Sequence, residues 1–187
     1  GGRREGSLLA VMDQTVTPMG ARLLRRQLLA PLQDRGVIEM RLDSVTELLG
    51  DTELRRSVRS LLDTVYDIER LCGRLVLGQG NARDMSAIKT SLARLPEVQG
   101  YLHTCRSPLL MALGTDFDPL ADLHAAIHAA IRDDAPVSLR EGNLICEGYN
   151  EELDHLILLL RDGKKLILAL ETQERERSGL AKLKVGY

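Results

Sequence analysis

EELDHLILLLRDGKKLILALETQERERSG, residues 151–179, is the stretch that decides the fold. Asn150 precedes it as a helix N-cap, and Glu151 and Glu152 suit the positive end of a helix dipole. Apolar residues then recur every three or four positions and form one stripe, which we expect to face a core: Leu153, Leu156, Ile157, Leu160, Ile167 and Leu170. The pattern predicts one helix to about Ser178, roughly 40 Å long at about 1.5 Å per residue.

The last part of this helix has a different character. From Glu171 to Ser178 the sequence ETQERERS contains no apolar residue, so this part cannot pack on a core and should project into solvent or meet a polar partner. Gly179 ends the helix, and LKVGY (183–187) alternates as a strand does, with no partner strand in the sequence. We therefore expect a long protruding helix that ends in a short unpaired strand.

Helix start and stop signals recur throughout the preceding residues. Ser7, Thr17 with Pro18, Asp34 and Asp51 stand as N-caps before apolar residues at helical spacing. With the Gly and Pro residues that follow each segment, these signals predict helices at residues 8–13, 19–29, 35–50, 52–65 and 68–76, and one that begins at Asn81 or Arg83 and runs to Leu92. Pro96 is expected to stop the last of them.

The next part of the chain is less regular. Residues 97–116 predict short helices joined by turns. Asp118 should cap a helix whose inward side chains are Leu120, Leu123, Ile127 and Ile131. Residues 132–150 break the helical pattern and predict an extended crossing segment with three anchoring side chains, Leu144, Cys146 and Tyr149.

Composition agrees with an all-α fold. Apolar residues make up 44% of the chain and charged residues 28%, while Trp is absent and Phe occurs once. A core of aliphatic side chains favours packed helices over a sheet. We predict an irregular multi-helix bundle over residues 1–152, followed by the long helix and the strand over residues 153–187.

Cysteine spacing and hydropathy indicate a reducing, aqueous compartment. Cys72, Cys105 and Cys146 are scattered and form no CxxC pair, which argues against a disulfide framework or a zinc site. The longest purely apolar run, residues 156–160, is too short to cross a bilayer. We expect a cytoplasmic protein without a membrane partner.

The motifs that carry chemistry are weak. Before the Gly163–Lys164 pair, Leu158 occupies the place of the upstream glycine of a phosphate-binding loop. His124 and His128, at i and i+4, could share a metal ion, but two histidines at the edge of a packed helix are the simpler interpretation. We predict no catalytic, cofactor or metal site in this chain.

Phosphate-contact candidates lie toward the end of the chain. The net charge is −2, but residues 163–187 carry six basic and three acidic side chains. The candidate contacts are Lys164, Lys165, Arg175, Arg177, Lys182 and Lys184. For each of them, a solvated helix end is the competing interpretation.

Five stretches, in order along nearly the whole chain, resemble segments of MutS-family DNA mismatch-repair proteins. They are LLAVMDQTVTPMGARLLRRQLLAPLQD (8–34), IEMRLDSVTELLGD (38–51), VYDIERLCGRLVLGQGNARDM (65–85), ICEGYNEELDHL (145–156) and ERERSGLAKLKVGY (174–187). The resemblance implies an internal fragment, made of core and lever helices and the start of the DNA clamp.

The resemblance also implies a parent protein that binds mismatched double-stranded DNA, uses ATP and magnesium, forms a homodimeric ring around DNA and works at the nucleoid. The fragment itself would bind DNA weakly and without specificity. Two other classes stay open from the residues alone. One is a freestanding helical adaptor that binds proteins through its long arm, and the other is a small helical metal-dependent enzyme that uses His124 and His128.

Overall fold

The computed structural model describes residues 6–180, except for the side chain of Lys164, and this part of the chain is helical as predicted. The helices are α1 (Leu8–Met12), α2 (Pro18–Leu29), α3 (Arg35–Gly50), α4 (Thr52–Asp63), α5 (Ile68–Val76), α6 (Ala82–Leu92), α7 (Leu95–His103), α8 (Pro108–Asp116), α9 (Ala121–Ala130) and α10 (Glu151–Ser178), with a 3₁₀ turn at Leu139–Glu141. Tertiary contacts divide the chain into two compact units, the first up to Leu144 and the second from Ile145.

Side-chain caps define where most of the helices begin. At each of these starts, a side-chain oxygen accepts a hydrogen bond from a backbone N–H of the first turn, which would otherwise lack a partner. The capping residues are Ser7, Thr17, Asp34, Asp51, Asp67, Asn81 and Asn150. The predicted helix starts at Ser7, Thr17, Asp34, Asp51 and Asn150 are therefore confirmed.

The first unit buries its apolar side chains in two clusters. One cluster consists of Leu54, Cys105 and Leu110, from α4, the α7–α8 turn and α8. The other consists of Ile88, Leu92 and Ile127, from α6 and α9, with Leu71 and Leu75 of α5 among the side chains packed against it. Because each cluster joins helices that are distant in sequence, burial in these clusters determines how the helices assemble.

Gly114 allows α8 to approach α7 closely. A Cβ at Gly114 would lie 3.0 Å from His103 Cδ2 and 3.1 Å from Leu102 Cβ. The Gly114 carbonyl accepts a hydrogen bond from Gln99 Nε2 at 3.1 Å, and His103 Nε2 lies 2.9 Å from the same oxygen. Side chains of α7 thus satisfy the backbone near the end of α8.

Pro96 follows α6 but opens α7, where a missing N–H costs nothing.

The Glu47 carboxylate ties α3 to the start of α8. Its oxygens accept hydrogen bonds from the backbone N–H groups of Arg106 at 2.6 Å and Ser107 at 2.7 Å. The pKa of Glu47 is held below its ordinary value first by Ser107 and then by the backbone of Arg106. The backbone N–H of Ser107 donates to the carboxylate, and the Ser107 hydroxyl lies beside it without hydrogen-bond geometry. The charged form of Glu47 therefore contributes to the packing of α8 on α3.

The helix expected after Asp118 begins later than predicted and faces differently. Leu120 adopts a left-handed conformation with φ of 52°, and its N–H donates to Asp118 Oδ1 at 2.8 Å. This turn shifts the start of α9 to Ala121. Leu120 and Leu123 are exposed rather than inward-facing, because only the Ile127 side of α9 meets α6.

The segment after α9 closes a loop instead of crossing the unit in extended form. The Arg132 N–H donates to the Leu144 carbonyl at 3.0 Å, which brings the two ends of residues 132–144 together. Leu144 and Cys146 are half-buried, but Tyr149 is exposed, so its predicted anchoring role is wrong.

The second unit contains α10, whose predicted start and end are confirmed. Its apolar stripe, however, does not face a core. Leu153 and Ile167 are half-buried, but the other four members of the stripe are between 48% and 67% exposed, because the described part of this unit contains no second helix to cover them. None of the helices in residues 6–180 is long and apolar enough to cross a membrane.

The contrast between the two units predicts unequal effects of two Leu→Ala substitutions. Leu92 is 3% exposed, so Leu92→Ala should leave a cavity and cost about 2–5 kcal/mol of unfolding free energy. Leu160 is 67% exposed, so Leu160→Ala should change that free energy by less than about 0.5 kcal/mol. Urea titrations of both variants test this. Equal losses would mean that α10 is covered in solution.

The Glu47 contacts predict a pH-dependent contribution to stability. Because folding lowers the pKa of Glu47 from its ordinary value of 4.5, its contribution is present above that pH and is lost as pH falls through the folded pKa. Glu47→Gln should therefore unfold at lower urea than the parent chain at pH 7, and the difference should vanish at strongly acidic pH. Glu39→Gln, on the same helix in an exposed pair with Arg35, is the control and should have little effect at either pH. A difference that persists in acid would contradict the role of the Glu47 charge.

Candidate nucleic-acid interface

Four of the six residues expected to contact phosphate lie along α10. Lys164 and Lys165 lie near its middle, and Arg175 and Arg177 lie in its last two turns. At about 1.5 Å per residue, the two pairs are separated by roughly 15–18 Å along the helix axis. Lys165 is exposed to solvent.

Two of the six candidates cannot be located. Lys182 and Lys184, together with the strand expected over residues 183–187, lie outside the described residues. Their role as phosphate contacts stays a prediction, as does that of the four candidates on α10.

Acidic residues accompany both arginines. Arg175 Nη2 lies 3.0 Å from Glu171 Oε2, and Arg177 Nη2 lies 3.2 Å from Glu174 Oε2. Residues 171–178 contain three acidic and two basic side chains, so their net charge is −1. A phosphate would have to compete with these carboxylates, which makes this end of α10 a weak anion-binding surface.

The middle of α10 is its most cationic part. Residues 161–165 contain three basic side chains and one acidic one, a net charge of +2. Arg161 and Lys165 are both exposed and lie one turn apart on the same face of the helix, as residues at i and i+4 do. Arg161 was not among the sequence candidates, although its spacing from Lys165 is the signal that identifies it.

Lys89, a basic side chain of the first unit, is held by an internal carboxylate. Lys89 is 6% exposed, and its Nζ lies 2.5 Å from Asp133 Oδ1 and 3.4 Å from the Ile131 carbonyl oxygen. The hydrogen bond from Lys89 lowers the pKa of Asp133. Lys89 therefore ties α6 to the segment after α9 and is not positioned to bind phosphate.

His124 and His128 lie side by side on α9. Their rings are parallel, with centroids 6.0 Å apart and an interplanar angle of 7°. Within residues 6–180, no group of three or more His, Cys, Asp or Glu side chains is placed to hold one metal ion. A pair of imidazoles supplies only half of the four ligands typical of a structural zinc site.

The fold and this surface define the class of the protein. It is an all-helical segment whose described surface offers a moderately cationic helix face.

The family model for MutS domain III matches residues 1–182, and the chain belongs to this family. The chain is 46% identical over 186 residues to the DNA mismatch repair protein MutS of Myxococcus xanthus and 46% identical over 187 residues to that of Symbiobacterium thermophilum. It is 43% identical over 187 residues to the protein of the same name from Halothermothrix orenii. Each alignment covers 100% of this chain and 21% of the relative, so the chain spans about a fifth of the length of these relatives.

The geometry of the histidine pair predicts no stabilisation by zinc. Two ligands hold a zinc ion too weakly to shift the folding equilibrium, so adding zinc or EDTA should leave the Tm of the chain unchanged. Differential scanning fluorimetry measures this, with His124→Gln as the matched variant. A zinc-dependent rise in Tm that His124→Gln abolishes would contradict the prediction.

Proposed function

We propose that this chain is the lever segment of a DNA mismatch-repair ATPase, together with the approach to its DNA clamp. Residues 1–152 would form the lever domain, and residues 153–187 the helix and first strand that lead into the clamp. The parent protein would bind mismatched DNA and ATP with magnesium as a homodimer in the cytoplasm, at the nucleoid. The segment itself would link the ATPase end to the clamp and catalyse no reaction.

The observation that carries this proposal is α10 in a chain of the MutS domain III family. Its 28 residues span about 42 Å at about 1.5 Å per residue, with no proline to interrupt the hydrogen-bond ladder. A continuous helix moves as one body over that length. It can therefore transmit a displacement from one end to the other, as a link between the lever domain and the clamp requires.

The exposed apolar side chains of α10 support its place in a larger protein. Leu156 to Leu160 are each at least 44% exposed, and Leu166 and Leu168 are more than 60% exposed. Contiguous apolar surface of this kind marks a site of contact with another protein element. The same observation also favours the second candidate function, a helical adaptor that binds a protein partner along this arm.

Double-stranded DNA is the partner that the charges of α10 support. Arg161, Lys164 and Lys165 can neutralise phosphates near the middle of the helix, whereas Glu171 and Glu174 reduce the attraction near its end. Contacts of this type position a duplex but do not read its sequence. We therefore expect weak, salt-sensitive binding with no preference for a mismatch.

A DNA-binding titration with charge-matched variants tests the proposed interface. Arg161→Gln with Lys165→Gln removes two charges from α10, and Arg35→Gln with Arg56→Gln removes two highly exposed charges from the first unit. The α10 variant should reduce the slope of log K against log salt by up to about 1.8, because each phosphate contact contributes about 0.9. The control should leave the slope unchanged. Fluorescence anisotropy with matched and mismatched duplexes gives both slopes.

Two outcomes would contradict this assignment. Equal slope changes in the two variants would indicate general charge attraction rather than an interface on α10. A tenfold preference for mismatched DNA, about 1.4 kcal/mol, would mean that the segment reads bases directly. If no DNA binds at low salt while a protein partner binds α10, the adaptor function is favoured instead.

A further inference from the structure

The first two helices are attached to the rest of the first unit without a fully buried side chain, although Met19, Leu24 and Leu28 of α2 are half-buried. Leu8, Val11 and Leu29 are all more than 65% exposed. An isolated helix of α2's length is only marginally stable in water, since helices shorter than about 12–15 residues rarely persist alone. The helical state of α2 therefore depends on tertiary contacts.

The strongest contact of α2 is a guanidinium held by two carboxylates of α5. Arg22 Nη1 and Nη2 each lie 2.7 Å from an oxygen of Asp67, which makes a two-pronged pair. Arg22 Nε also donates to Glu69 Oε2 at 3.0 Å. Bidentate guanidinium–carboxylate pairs are among the stronger polar contacts in proteins, and the Asp67 side chain is only 15% exposed. Arg22, Asp67 and Glu69 form a group that we call the Arg22 latch.

A second polar contact holds the segment that leads into α2. Arg59 Nη1 on α4 donates to the Gln14 carbonyl at 2.9 Å. The segment thus meets the bundle at α4 and at α5, in both cases through a guanidinium.

Asp67 connects the latch to the packing of the unit. Besides binding Arg22, it is the N-cap of α5 and accepts a hydrogen bond from the Arg70 N–H at 3.3 Å. On the same helix, Leu71 and Leu75 pack against the second buried cluster. The start of α5 is therefore anchored on one side to α2 and on the other to the core.

We propose that the Arg22 latch docks residues 8–29 onto α5 reversibly, so that this segment can detach as a unit while the remaining helices of the first unit stay folded. Release would expose the Asp67 carboxylate and loosen the start of α5. The conformation at the start of α5 would therefore depend on whether residues 8–29 are docked. The latch lies entirely within the first unit and does not depend on the function proposed for α10.

Protonation behaviour agrees with a tight pair. Asp67, followed by Glu69, raises the pKa of Arg22 above its ordinary value. The hydrogen bonds from Arg22, and then that from the backbone of Arg70, lower the pKa of Asp67. Both groups thus stay charged at neutral pH, and salt rather than pH is the condition that should release the latch.

Hydrogen exchange of the whole chain, followed by mass spectrometry, tests the latch with two variants. Arg22→Gln removes the guanidinium. Asp67→Asn removes the negative charge, but Asn still caps a helix well, so α5 keeps its start. Either variant should accelerate exchange in residues 8–29 by about tenfold or more and leave residues 52–63 and 108–116 unchanged. The double variant should match Arg22→Gln, because that substitution alone already removes the ion pairs with both Asp67 and Glu69.

A salt series and a control complete the test. Raising the salt concentration to about 1 M, where the Debye length is about 3 Å, should accelerate exchange of residues 8–29 in the parent chain but not further in Arg22→Gln. Arg56→Gln, which breaks an exposed pair within α4, should change neither region. Exchange of residues 8–29 within twofold of the parent chain in both variants would overturn the proposal. So would a uniform increase throughout the first unit, since Arg22 would then support the fold as a whole.

Discussion

A helix buries its apolar side chains only where another element packs against it, and this constraint separates the two units of the chain. In the first unit, helices distant in sequence meet around Leu54 and around Ile88, and the apolar side chains at these two places are covered. In the described part of the second unit, α10 has no companion helix, and all of its leucines except Leu153 are exposed. The same kind of sequence pattern thus produces a core in one place and an available surface in the other.

Within the first unit, carboxylates join helices in addition to the apolar contacts. Glu47 holds the start of α8, Asp67 holds α2 against α5, and Asp133 holds Lys89 of α6. Asp67 and Glu47 accept hydrogen bonds from backbone N–H groups, Asp67 in the first turn of α5 and Glu47 in the turn before α8. Such N–H groups have no partner within the helix and therefore attract a negative charge. A structural segment held together in this way can loosen locally without losing its buried clusters.

The charges of α10 relate its structure to its proposed role. The helix begins with acidic residues, is cationic between Arg161 and Lys165, and ends in alternating acidic and basic residues that pair along the helix. A DNA duplex would therefore be attracted to one region of α10, because elsewhere along the helix acidic and basic charges offset each other. That is suited to a mechanical element that meets DNA without retaining it strongly.

Local signals in the sequence determined where the helices begin and end. Thr17 before Pro18, Asp34, Asp51 and Asn150 predict helix starts that the structure confirms, because a cap depends on residues within one turn of itself. The resemblance to the MutS family was also carried by the sequence alone, since it lies in ordered stretches along nearly the whole chain.

Tertiary structure alone decided which faces are covered and which charges pair. Periodicity marked Leu123 and Leu160 as inward-facing, yet both are exposed, since periodicity identifies an apolar face but not whether an element lies opposite it. Arg22 and Asp67 are 45 residues apart, and Glu47 and Ser107 are 60 apart, so no local pattern could join them. Glu47 and Ser107 meet because the cluster around Leu54 brings α3 and α8 together. Arg22 meets Asp67 where α2 lies against α5, a helix that packs on the cluster around Ile88.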